Sequence, residues 1–148
     1  RNNHIIYIGY ISAMDKLNNL YFAASGLLPG QTYDELYERE SGTVHTSTAG
    51  LPEKGEPFRD LALLATWPAA GGNQFMLVSG TRDAGLMHAA SVLANPSILQ
   101  ELDVQTHRAN GAPSFEALFE VYGIDRMNFD AGLIYQRGIS PDKIWLRE

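Results

Sequence analysis

The stretch from Gln74 to Leu93, QFMLVSGTRDAGLMHAASVL, constrains the fold more than any other part of the chain. A short apolar run, a glycine, a polar turn and an amphipathic helix pattern follow one another there. In that order they bring backbone N–H groups and a helix dipole to one point, a seat for an anion or a polar ligand. A second junction, Ile5 to Leu20 (IIYIGYISAMDKLNNL), has a similar layout. Two such junctions predict an α/β domain with a crevice where they meet.

The rest of the pattern fills in around them. His4 to Tyr10 reads as a buried strand. Ser12 is placed to cap the helix that follows, with Asp15 at its third position, and Met14, Leu17, Leu20 and Tyr21 share one helical face. Gly26, Pro29 and Gly30 end that element. Thr32–Arg39 and Thr43–Ser47 flank a hairpin turn at Glu40-Ser41-Gly42, although the first arm also suits a short helix. Ala49–Pro57 is a loop on composition. Leu61–Trp67 and Gln74–Ser79, joined by PAAGGN, form an antiparallel hairpin with a flexible tip.

From about Thr81 to Leu93 the pattern is helical, with Leu86, Ala89, Ala90 and Leu93 on the apolar face. Asn95-Pro96 breaks that helix and Pro96 starts another, with Ile98, Leu99 and Leu102 inward. Thr106–Pro113 is a loop. SFEALFEVYG fits a helix through Phe115, Leu118, Phe119 and Tyr122, or a strand through Phe115, Ala117, Phe119 and Val121; period alone does not separate them. Gly132–Arg137 and Lys143–Leu146 look like terminal strands.

Length and charge exclude several classes. The 148 residues suit one domain with a real core, and 45% hydrophobic with 19% charged residues is ordinary globular composition rather than disorder. A net charge of −6, with the 11 basic residues scattered, argues against nucleic acid or an anionic membrane as a partner of this domain. The absence of cysteine excludes disulfides and thiolate chemistry. The longest apolar run, Leu61–Trp67, is too short to span a bilayer, and no signal-peptide pattern appears. Because the chain begins at Arg1 and not at Met, residues 1–148 read as one α/β domain excised from a larger protein, or as a processed product.

The candidate ligand residues are Gly9, Tyr10, Ser12, Gly80, Thr81, Arg82 and Asp83. At the second junction, Thr81 and the free N–H groups of the helix start would hold a carboxylate or phosphate, with Arg82 adding charge. The structural alternative makes Thr81 a cap, Asp83 a complement to the dipole and Arg82 a solvent-facing side chain. Neither GxxxxGK[ST] nor GxGxxG is present, so no nucleotide or other cofactor is specified. GYISA is not a nucleophile elbow, and no catalytic residue is assigned. His4, His45, His88 and His107 are too dispersed for a metal motif, with His88 placed on the helix surface. Asp34, Glu35, Glu38 and Glu40 form a solvated edge, and Trp67 is either a pocket wall or a hairpin anchor.

YIGYIS, TYDELYERESG, DLALLATWPAAGGNQFMLVSGTRDAGLMHAASVLANP and FEALFEVYGIDRMNFD together resemble a domain of uncharacterised bacterial proteins. That domain often follows an N-terminal helix-turn-helix or winged-helix region. The resemblance implies a sensing or regulatory domain of a transcriptional regulator and transfers no catalytic role to any position.

The expected fold is α/β: a mixed, partly antiparallel sheet with helices packed on it, in a Rossmann-like three-layer or a two-layer architecture. The expected function is non-catalytic sensing of a small polar or anionic ligand, or interaction. The alternatives are a small hydrolase or transferase using the crevice near Gly9 and Gly80, and a structural domain that forms homo-oligomers through an exposed hairpin edge.

Overall fold

A computed structural model of the chain describes residues 3–48, 53–105, 108–109, 112–125 and 127–145. Its elements are β1 (Ile5–Tyr10), α1 (Lys16–Ala24), β2 (Leu27–Pro29), β3 (Glu35–Glu38), β4 (Val44–Thr46), β5 (Pro57–Pro68) and β6 (Gln74–Gly80). They continue with α2 (Asp83–Leu93), α3 (Pro96–Gln105), β7 (Arg108–Ala109), β8 (Ala112–Pro113), β9 (Phe115–Ile124), β10 (Met127–Gly138) and α4 (Asp142–Trp145). The main sheet has the order β1-β6-β5-β9-β10. Only β1 and β6 are parallel; the other pairings in that sheet are antiparallel. Beside it, β2-β3-β4 form a three-stranded antiparallel sheet and β7-β8 a short ladder.

β5 lies at the centre because its apolar run serves both faces, as a strand covered on both sides requires. Leu61, Leu63, Ala65 and Trp67 point to one cluster, with Tyr21 and Phe22 of α1, Leu27, Leu36, Leu118 and Ile144. Trp67 stacks between Tyr21 and Phe75, with ring centroids 5.8 and 4.7 Å away. It is therefore a core anchor. Ala62 and Leu64 point the other way, with Val78, Ala89 and Val92 of α2, Leu102 of α3, and Phe115, Ala117, Phe119 and Val121 of β9. The molecule is thus mixed α/β, its central sheet covered by helices on both faces.

The β5–β6 hairpin, the β3–β4 hairpin and the Pro96 helix start agree with the sequence expectation. In the β3–β4 turn Gly42 has a φ of +71°, which a glycine adopts freely. Other elements differ. β1 is an edge strand with Ile5, Ile6, Ile8 and Tyr10 exposed, not a buried one. After it the chain makes a 3-10 turn at Ile11–Ala13, so Ser12 caps no α-helix, and α1 starts at Lys16.

α2 begins two residues later than expected, and its buried residues are Gly85, Ala89 and Val92, while Ala90 is exposed. β9 takes the strand reading, because pairing with β5 and β10 on both sides outweighs any local helical preference. The last expected strand is the short helix α4, whose Ile144 plugs the α1 side of the core. The β5–β6 hairpin is internal to the sheet and offers no edge. Within Ala49–Pro57, residues 53–56 precede β5 and Pro57 opens it, while residues 49–52 lie outside the described residues, as do most of Thr106–Gly111.

Candidate functional site

The two glycine junctions meet. β1 and β6 run parallel in register, with Gly9 opposite Ser79 and Tyr10 opposite Gly80. The chain leaves β1 toward the α1 face and leaves β6 toward the α2 face, the arrangement that opens a crevice beyond strand ends in open α/β sheets. Gly9, Tyr10, Gly80, Thr81, Arg82 and Asp83 gather there, and Ser12 is exposed in the 3-10 turn nearby. The Tyr10 hydroxyl donates to Asp83, and that bond, followed by partial burial and the Asp83 charge, raises the Tyr10 pKa.

The helix start itself is already occupied. Asp60, a buried residue of β5, turns its carboxylate onto the first turn of α2. Oδ2 accepts the Gly85 N–H at 2.6 Å, and Oδ1 accepts the Leu61 N–H at 3.0 Å and the Thr81 hydroxyl. Thr81 accepts the Leu61 N–H at 3.1 Å, and its own N–H reaches Leu61 O at 3.0 Å. Arg82 occupies the N-cap position with no side-chain cap bond. Its guanidinium reaches Asp34 at 3.2 Å and Thr48 O at 3.3 Å, and Asp34 also accepts the Ser47 hydroxyl at 2.7 Å. Arg82 is paired with Asp34, and the carboxylates of Asp60 and Asp83 are held at the same junction by Thr81 and Tyr10, a local excess of negative charge that disfavours an anion. A Cβ on Gly80 would meet Leu86 N at 2.1 Å, so this glycine admits the backbone of α2.

A second polar cluster lies on the α1 face, and sequence reasoning missed it. Glu116 of β9 is fully buried and accepts four hydrogen bonds. The donors are Tyr21 OH at 2.5 Å, Ser25 OH at 2.5 Å, Gly26 N–H at 2.8 Å and Tyr135 OH at 2.7 Å. Four donors meet the acceptor capacity of a carboxylate. Burial, then the Glu116 charge and its hydrogen bond, push the Tyr21 and Tyr135 hydroxyls well above the usual phenol range. Arg39 ties down the end of α1, donating to Phe22 O at 2.6 Å and Ser25 O at 2.9 Å.

Beside this cluster is an open cavity of about 390 Å³ lined by Gly26, Glu38, Glu40, Ile134, Tyr135, Gln136 and Arg137. At its rim Arg137 pairs with Glu40 at 3.1 Å, and His45 meets Glu38 at 2.9 Å. Tyr135 belongs to both cavity and cluster. A Cβ on Gly26 would lie 2.2 Å from the Tyr135 oxygen, so the glycine admits that hydroxyl.

Among the described residues the histidines do not converge. His4 accepts the Gln74 N–H at 3.1 Å, and His88, half-buried and not at the surface, stands edge-on to Phe119 at 5.1 Å. His107 lies outside the described residues. Among the described residues no three His, Cys, Asp or Glu side chains stand close enough to hold a metal ion. No helix among them is long and apolar enough to cross a membrane. Compared with family models, with curated proteins and with solved structures, the chain matches none.

Proposed function

We propose that this chain is a non-catalytic ligand-sensing domain of a larger cytoplasmic bacterial regulator, and that its ligand seat is the cavity at Tyr135 and Arg137. The observation that carries this reading is the double membership of Tyr135. Tyr135 lines the cavity, and its hydroxyl is one of four donors to buried Glu116. The other three donors sit on α1 and the turn that ends it. A molecule that takes a hydrogen bond from Tyr135 must change how Glu116 holds α1, which turns occupancy into a shift of a helix. The lining suits a small polar molecule with a donor toward Glu38 or Glu40 and an acceptor toward Arg137.

The β1/β6 crevice is the second seat. In this reading the architecture is Rossmann-like at that parallel pair alone, and Asp60, Asp83 and Asp34 favour a cationic or neutral polar guest over an anion there. A hydrolase or transferase would need a nucleophile and base in hydrogen-bond reach within one of these seats.

Mass spectrometry of small molecules released from the denatured protein, followed by rebinding, tests the proposal. The bound molecule is expected to rebind about tenfold more weakly to Tyr135→Phe and Arg137→Ala, with no effect of Tyr10→Phe. Rebinding lost in Tyr10→Phe instead moves the seat to the crevice. Turnover of the molecule makes the chain an enzyme. A protein that carries nothing and is stabilised by no compound in a polar metabolite panel overturns the sensing reading.

A further inference from the structure

We infer that two copies of this chain pair edge to edge through β1. The strand has one neighbour among the described residues, β6, so its other edge presents unpaired backbone groups. Natural edges are usually blunted by charge, proline or a bulge. Ile5–Tyr10 (IIYIGY) contains no charge and no proline, and its pairing with β6 is in unbroken register.

The side chains add an apolar surface. Ile6 and Ile8 pair with Met76 and Val78, which face α2, so Ile6, Ile8 and Tyr10 form a row on that face of the sheet. The Tyr10 bond to Asp83 fixes which side of α2 lies over the row, and Met87, one turn beyond Asp83, is on that side. Exposures are 53% for Ile6, 61% for Ile8, 40% for Tyr10 and 66% for Met87, with Ile5 at 51% on the opposite face. Half-exposed side chains of this size offer on the order of 100 Å² each. Fully covered, the five would bury about 500 Å² per copy and about 1,000 Å² for a pair, the size at which specific interfaces begin.

A second copy fits this edge better than a foreign strand because the edge complements itself. A two-fold axis perpendicular to the sheet brings β1 beside its own copy in antiparallel sense, with both isoleucine rows on the same face. The five-stranded sheet becomes a ten-stranded one, and Met87 of each copy comes over the other's row. Opposing this, each chain carries a charge of −6 and holds the Asp83 carboxylate at the Tyr10 end of the row, so association strengthens with added salt.

Sedimentation velocity over a hundredfold concentration range, at low and moderate salt, tests the pairing. The parent is expected to shift from monomer to dimer as concentration rises, and at lower concentration in salt. Ile8→Lys and, separately, Met87→Glu are each expected to weaken the dimer at least about tenfold with unchanged circular dichroism. Val44→Lys, the same charge placed on β4, leaves the dimer as it is. A parent that stays monomeric throughout, or a dimer lost in Val44→Lys and kept in both β1 and α2 variants, overturns the proposal.

Discussion

Asp60 holds Gly85: the carboxylate of a β5 residue accepts the N–H of the third residue of α2 at 2.6 Å, across 25 positions of sequence. An internal carboxylate thus does at this helix start what a bound anion does at others. The same carboxylate takes the Leu61 N–H and the Thr81 hydroxyl, so one side chain fixes strand, turn and helix together.

Removing it should be costly. Asp60→Ala takes an acceptor from the Gly85 and Leu61 N–H groups and the Thr81 hydroxyl and is expected to lose about 3 kcal/mol, and Thr81→Ala about 1 kcal/mol. Urea unfolding of the two variants checks this; equal losses would contradict the primacy of the carboxylate.

Gly85 is expected to tolerate no side chain. A Cβ there would lie 2.0 Å from Leu61 O, a backbone atom that cannot swing away. Gly85→Ala should therefore cost about 2–3 kcal/mol, even though alanine is the better helix former. A stabilised variant in thermal melts would place α2 wrongly on β5.

Alkaline pH should unfold the protein from the α1 face. Tyr21 and Tyr135 are raised above the ordinary value of 10.0 in the folded chain. Above about pH 10 the unfolded state has therefore lost protons that the native state keeps, and stability falls with rising pH. Absorbance at 295 nm should show two tyrosines that ionise only when circular dichroism is lost. Glu116→Gln should lower the pH at which they do so.

His88 gives the opposite slope. Burial lowers its pKa, and its Nε2 is buried without a hydrogen-bond partner among the described residues. Below the ordinary value of 6.5 the unfolded state binds the proton more readily, so stability falls with falling pH. His88→Leu is expected to be neutral or up to about 1 kcal/mol more stable at neutral pH. Its advantage should widen at pH 5.5, as read from urea midpoints.

Much of this scaffold was legible where the apolar runs were long. The β5–β6 hairpin and the β6-to-α2 junction follow from composition and two punctuating glycines, because a run that must be buried on both faces has few places to go. The role of β1 was not legible, since isoleucines read alike at a sheet centre and at its edge. The two buried carboxylates did leave a signal. Asp60 in FRDLALL and Glu116 in SFEALFE are single acids inside apolar strands, and acids there are rarely buried without partners. Their partners, Gly85 and Tyr21, come from distant segments, so the sequence marks the demand but not the donors.

The parallel pairing of β1 with β6 joins Ile5 to Phe75, whereas β5–β6 and β9–β10 each join neighbours along the chain. Closing so long a loop costs entropy that a hairpin does not. The hairpins are thus expected to assemble first and β1 to dock last, its amides gaining protection later than those of β5 in pulsed hydrogen exchange. Until it docks, β6 is itself a bare apolar edge, and the refolding yield should fall with protein concentration more steeply than the stability of the finished fold suggests.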